Sequence, residues 1–203
     1  MTGPLARRLA GLVVATCLGA TIAACGSSPS GDTTSGPTTT TVATPVPAVP
    51  APPAAVPVSL PVPVAPPDPE APEPYVEIGT IEIPKLGLRL AFAEGITMGT
   101  LDRGPGHWPG SAMPGEVGNA VVAGHRVTHT RPFRDIDDLV DGDEVIFETA
   151  AGRFTYRMVG SEVVPPTGMY ILDQTEARTA TLFACHPPGS ARYRYVVHLE
   201  LAS

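Results

Sequence analysis

Cysteine is scarce in this chain of 203 residues. There are three, and two of them, Cys17 and Cys25, fall within the first 25 positions. Everything beyond holds only Cys185, so a folded domain there has no internal disulfide to brace it. Basic runs are absent as well. The formal net charge is −7, and no Lys/Arg-rich segment interrupts the acidic balance, which argues against a nucleic-acid partner. The longest apolar stretch, residues 9–24, falls short of the roughly 20 residues a comfortable membrane-spanning helix needs. A Rossmann-type glycine motif, a phosphate loop and internal repeats are all lacking. So are Cys-x-x-Cys, His-Glu-x-x-His and EF-hand spacings, and neither a cofactor nor a metal is expected.

What is present divides into three parts. Arg7 and Arg8 precede the apolar run, which ends in Ile22-Ala-Ala-Cys25-Gly26. A positive start followed by a short apolar core reads as a signal peptide over residues 1–24. Two small residues before a cysteine, with an aliphatic one ahead of them, resemble the lipobox of bacterial lipoproteins. That resemblance implies a lipidated Cys25 that holds the chain at the extracellular face of the cytoplasmic membrane. An uncleaved signal anchor is the alternative, and it gives the same location. Residues 25–74 are Ser/Thr-rich and then Pro-rich; thirteen of the 25 prolines lie between positions 43 and 74. Such a segment cannot build helix or sheet, and it is expected to be a disordered, extended tether. Only residues 75–203 mix charged, β-branched and aromatic residues as a packed domain must, and that length suits a single core.

Within this domain the residues read as short strands: 78–83, 88–93, 117–124, 143–149, 153–164, 178–185 and 192–201. Helical signal is confined to single turns near 97–101 and 134–140. Many short strands with turn signals between them predict an all-β fold, a closed or nearly closed barrel.

Three segments stand out: Gly104-Pro-Gly-His-Trp-Pro-Gly-Ser111 continuing to Asn119, Val121-Val-Ala-Gly-His-Arg126, and Thr179-Ala-Thr-Leu-Phe-Ala-Cys-His-Pro-Pro188. A strand-end Cys followed nine residues later by a strand Arg, and preceded by a strand ending in Gly-His, resembles the sortases. The closest likeness is to the class E sortases of high-GC Gram-positive bacteria. The resemblance covers about residues 78–201. It implies an eight-stranded sortase-type β-barrel. It also implies a transpeptidase that cleaves a Leu-Pro-x-Thr-Gly or Leu-Ala-x-Thr-Gly sorting signal after Thr. The acyl group is held as a thioester and passed to an amine of peptidoglycan precursor or a pilin subunit. The implied partners are surface proteins carrying a C-terminal sorting signal.

The residue types suit that chemistry. Cys185 offers a thiolate nucleophile, and a thioester is a good acyl donor to an amine. His125 can protonate the departing amine and deprotonate the incoming one. Arg194, permanently charged, can stabilise an oxyanion or hold the substrate backbone. Arg192 points the same way along the last strand and competes for that role. His107, His129 and His186 compete with His125. His186 is expected to support the loop beside the cysteine, His107 to shape its Gly/Pro loop, and His129 to be solvated. The acidic cluster of Asp135, Asp137 and Asp138 reads as a solvated turn. One departure from the family pattern is Ala184, where Thr usually precedes the nucleophile. A non-catalytic or hydrolase-only surface domain on the same fold is the alternative reading.

Overall fold

The computed structural model describes residues 58–64 and 68–202. The expected signal peptide, Cys25 and most of the expected tether lie outside them. Among the described residues no helix is long and apolar enough to cross a membrane.

Eight strands form the domain: β1 (Val76–Ile83), β2 (Leu88–Glu94), β3 (Gly106–His107), β4 (Gly118–Ala123), β5 (Glu144–Thr149), β6 (Gly152–Val164), β7 (Arg178–His186) and β8 (Tyr193–Leu201). They close into a barrel in the order β1-β2-β3-β4-β7-β8-β6-β5. The all-β barrel is thus the fold the strand pattern predicts, and its eight strands are the number the family resemblance implies. The strand that alternation does not reveal is β3, whose two residues are too few to carry a period. Among the described residues helix is limited to α1 (Met98–Leu101) and three 3-10 turns, Pro84–Leu86, Ile136–Asp138 and Met169–Leu172.

Inward positions follow the two-residue period of a strand. Ile81 and Ile83 of β1, Phe92 of β2, Phe147 of β5, Tyr156 of β6, Leu182 of β7 and Val197 and Leu199 of β8 meet in one core. Each such side chain contributes about 1.5–3 kcal/mol by leaving water. Phe147 packs edge-on against both Phe92 and Tyr156, with ring centroids 5.6 Å apart in each pair. The buried Tyr156 hydroxyl accepts a hydrogen bond from Gly115 N–H at 2.8 Å, and burial raises its pKa.

A second, smaller core lies outside the barrel wall, where Val121 of β4 and Val196 of β8 pack with Trp108, Val164, Ile171 and Leu172. Outward-facing residues of β4, β7 and β8 are therefore partly roofed by the loop between β6 and β7 and by the 104–112 segment.

The Pro-rich segment, expected to stand clear of the domain up to residue 74, touches it well before that. Val64 N–H bonds Pro109 O at 2.7 Å. Gly110 has φ +75°, and a Cβ there would collide with the Val62 carbonyl, so only glycine admits this approach. Further on, the Glu73 carboxylate accepts from the Thr97 hydroxyl at 2.8 Å and the Thr100 hydroxyl at 3.3 Å, and Met98 N–H bonds Pro69 O at 2.8 Å. Thr97 and Thr100 are buried, so these partners matter for α1. A chain beginning at Tyr75 is expected to melt below one beginning at Val58. Each lost bond should cost about 1 kcal/mol, and each kcal/mol about 2–4 °C in Tm. Calorimetry on the two proteins checks this, and equal melting temperatures would mean that the segment contributes nothing.

Candidate active site

Strand parity and register bring the three singled-out residues into one row. On β7, Ala180, Leu182 and Ala184 belong to the inner core, so Thr181, Phe183 and Cys185 point outward. On β8, Val197 and Leu199 are inward and Arg194 is outward by the same rule. The antiparallel ladder sets Cys185 directly opposite Arg194. β4 runs parallel to β7, with Gly118 opposite Arg178 and Ala123 opposite Phe183. Two residues past Ala123, His125 falls level with Cys185 and on the same outward face. Gly124 N–H still bonds Phe183 O at 3.2 Å, which carries the pairing almost to that point. A Cβ at Gly124 would press into the Phe133 ring at 2.6 Å, so glycine is needed for the turn that presents His125.

The row borders a cavity of about 430 Å³. Its lining includes Ile96, Leu101, Trp108, Phe183, Ile171 and Leu172, and His125, Cys185 and Arg194 all border it. Apart from those three the lining is almost wholly apolar. Ala184 also borders the cavity, while its methyl packs in the barrel core with 2% exposure. The loop carrying Ile171 and Leu172 is anchored by the Tyr170 hydroxyl, which donates to Glu162 at 2.6 Å. That bond, and then His198 on the other carboxylate oxygen, holds the Glu162 carboxyl below its ordinary pKa, while the Tyr170 phenol is raised.

His125 is held from behind. Its Nε2 lies 2.9 Å from Asp102 Oδ1, and Asp102 itself caps α1, its N–H bonding Met98 O at 2.9 Å. An Nε2–H donated to Asp102 leaves Nδ1 as the nitrogen able to take up a proton. His129 joins the same carboxylate oxygen at 3.0 Å and stacks on His125 with ring centroids 5.3 Å apart. It is exposed, as the sequence suggests, and is engaged as well. The donor atoms of Asp102, His125 and His129 lie within 4.8 Å of one another, a set able to hold a metal ion.

Arg194 Nη1 donates to Ala191 O at 2.9 Å and Tyr193 O at 3.0 Å, which fixes the head of the side chain and leaves other guanidinium N–H groups for a ligand. Arg192 is exposed, lies against Tyr193 at 5.9 Å and does not line the cavity. His107 is buried with Nδ1 at 2.7 Å from Glu94 and Nε2 at 2.9 Å from both Ser111 Oγ and Ala112 O, pinning the Gly/Pro loop.

Sequence reasoning overlooked Arg126. Its side chain is 2% exposed, it pairs with Asp137, and it donates to His186 Nδ1 at 2.9 Å and to Arg134 O at 3.2 Å. It ties the residue after His125 to the residue after Cys185. Asp137, expected in a solvated turn, is the charge partner that makes burying this guanidinium tolerable.

Comparison with known proteins agrees with the fold. The chain is 36% identical over 141 residues to Sortase SrtE1 of Streptomyces coelicolor, covering 62% of this chain and 40% of that protein. It is 34% identical over 124 residues to Sortase D of Bacillus subtilis, covering 59% and 61%. It therefore spans less than two thirds of either relative. Among solved structures, Sortase E1 from S. coelicolor with a tripeptide in the active site superposes with a TM-score of 0.60 at 32% identity, covering 63% of this chain and 89% of that one. A Clostridium perfringens Sortase D5 transpeptidase does so with a TM-score of 0.58 at 35% identity, covering 63% and 79%. With the Sortase domain matched over residues 81–202, more than half of its length, the chain belongs to the sortase family.

Proposed function

We propose that this protein is a cysteine transpeptidase that cleaves a sorting signal of the Leu-Pro-x-Thr-Gly or Leu-Ala-x-Thr-Gly type after Thr. The observation that carries the reading is the row of His125, Cys185 and Arg194 across three neighbouring strands at the rim of an apolar cavity. Adjacent strands are about 4.8 Å apart, so the backbone positions of His125 and Arg194 lie about one strand spacing to either side of Cys185.

The cavity suits the signal's leucine, which Ile96, Leu101, Ile171 and Leu172 can surround. The Cys185 thiolate adds to the Thr carbonyl carbon, and Arg194 hydrogen-bonds the oxyanion that forms. As the Thr–Gly amide bond breaks, the His125 imidazolium gives its proton to the leaving Gly amine, and the acyl group remains as a thioester. An acceptor amine then attacks, losing a proton to His125, and the C–S bond breaks to restore the thiolate. Asp102 holds the ring in its orientation throughout. The acceptor is an amine of peptidoglycan precursor or a pilin subunit, and the acyl donors are surface proteins with a C-terminal sorting signal. Lipidation at Cys25 would place the domain at the outer face of the cytoplasmic membrane, where both meet. The likeness to the Sortase D5 transpeptidase of Clostridium perfringens supports the reaction class.

The test is product partition. With a fluorogenic sorting peptide and a glycine peptide in excess, the acyl product should move from free acid to amide as amine rises. Product that remains free acid at every amine concentration would make the protein a hydrolase and overturn the transpeptidase reading.

A further inference from the structure

The carboxylate of Asp102 has an unusual set of neighbours. Among the described residues no Lys or Arg pairs with it; its Oδ1 instead receives two imidazole nitrogens, His125 Nε2 at 2.9 Å and His129 Nε2 at 3.0 Å. The arginines adjacent in sequence to Asp102 and His125 are committed elsewhere, Arg103 over the Tyr75 ring at 3.7 Å and Arg126 to Asp137. The backbone is bent to make this meeting possible, since His129 sits at φ +51°. A non-glycine residue seldom adopts that conformation, and here it brings a second imidazole to the same oxygen.

We propose that Asp102, His125 and His129 form a reversible site for a divalent transition-metal ion of the zinc type, and that the bound ion switches the enzyme off. Two imidazoles and one carboxylate are borderline ligands that favour such an ion over calcium or magnesium, which take oxygen donors. Zinc sits about 2.0–2.2 Å from nitrogen and oxygen ligands, which sets tetrahedral ligand–ligand separations near roughly 3.4 Å. The observed separations from Oδ1 need open by only a few tenths of an ångström. Three protein ligands leave a position for water. The site is reachable, with the side chains of His129 47% and Asp102 35% exposed. Neither ring has a hydrogen-bond partner on Nδ1 among the described contacts, and such support ordinarily strengthens a histidine ligand. Binding is accordingly exchangeable and open to chelators, as suits a switch rather than a structural ion.

On binding, each neutral imidazole gives its Nε2 lone pair to the metal and carries its proton on Nδ1; a charged ring releases one proton to solvent. Nδ1 of His125 then holds a proton and can accept none, and the ring is no longer available to the Cys185 thiol or to an acceptor amine. The inhibition rests on the transpeptidase reading, whereas the binding does not.

Cobalt(II) titration of the full chain with Cys17, Cys25 and Cys185 changed to Ala reads the site directly. One equivalent should produce a ligand-field absorption that zinc displaces. His129→Asn, which tolerates the left-handed backbone, should weaken binding by about tenfold or more, with melting temperature as the control for folding. A parent chain that binds no cobalt, or His129→Asn that binds as the parent does, overturns the site. In the unmodified chain, zinc should suppress transfer and a chelator should restore it, while His129→Asn keeps most of its own metal-free rate. Turnover indifferent to zinc in a chain that binds it would overturn the switch. A chain that binds cobalt yet turns over no sorting peptide would sink the transpeptidase reading and leave the site standing.

Discussion

Cys185→Ala should abolish cleavage and transfer, with turnover down by about six orders of magnitude, as when the nucleophile of a covalent mechanism is removed. The fold should survive. Cys185 is half-buried at the outward end of β7, away from the barrel core, so the change removes one sulfur from a cavity rim and melting should shift little. Mass spectrometry of the parent with peptide should reveal an acyl adduct on Cys185 that hydroxylamine or an amine removes, and the variant should show none. A variant that still transfers, or an adduct elsewhere, would end the case for Cys185. Cys185→Ser sharpens the result. It keeps the geometry but replaces a thiol by a hydroxyl of far higher pKa, so an inactive Ser variant places the requirement on thiolate chemistry rather than on shape.

The barrel was legible because its code is local. Alternation along β7 and β8 separates Leu182 and Leu199 from Cys185 and Arg194 without knowledge of any partner strand, and the eight residues between Cys185 and Arg194 suit a tight antiparallel pair. The parallel pairing of β4 with β7 was not legible. It joins segments 60 positions apart, and only that register sets His125 level with Cys185. β3 escaped because two residues carry no period. Asp102 escaped for a different reason: it closes a single helical turn, 23 residues before His125, where no motif marks a carboxylate as special. His129 was passed over because its flanking threonines suggest solvent, and nothing in composition announces a positive φ. The end of the Pro-rich segment was misjudged on a similar ground. Proline content excludes helix and sheet, but it does not exclude docking, and Glu73 reaches two buried threonines from an irregular stretch.

Burial also altered how the charges read. Asp137 read as part of a solvated turn and Arg126 was given no role, yet the guanidinium is almost fully enclosed and spans from the turn after β4 to the end of β7. The position of His125 relative to Cys185 therefore depends on a contact between their sequence neighbours. That division suits a reaction in which imidazole and sulfur must exchange protons through small movements, because neither reacting group is itself tied down by the brace.

Arg194→Ala is expected to lower kcat/KM by about two to three orders of magnitude, the range for losing one oxyanion donor. Arg192→Ala should change it less than about threefold, a small fraction of the same scale. The contrast follows from position. Arg194 lines the cavity opposite Cys185, with its head fixed by Ala191 O and Tyr193 O, whereas Arg192 lies outside the lining against Tyr193. Arg194→Lys should recover only part of the loss, since an ammonium restores the charge but not the planar fork that can bond two carbonyl groups and an oxyanion together. The division between constants then identifies the step. A fall in kcat matched by kcat/KM assigns Arg194 to the transition state, whereas a rise in KM alone assigns it to holding the peptide backbone before reaction. If Arg192→Ala carries the large loss and Arg194→Ala does not, the oxyanion partner is the wrong arginine. The row across β4, β7 and β8 would then consist of His125 and Cys185 alone.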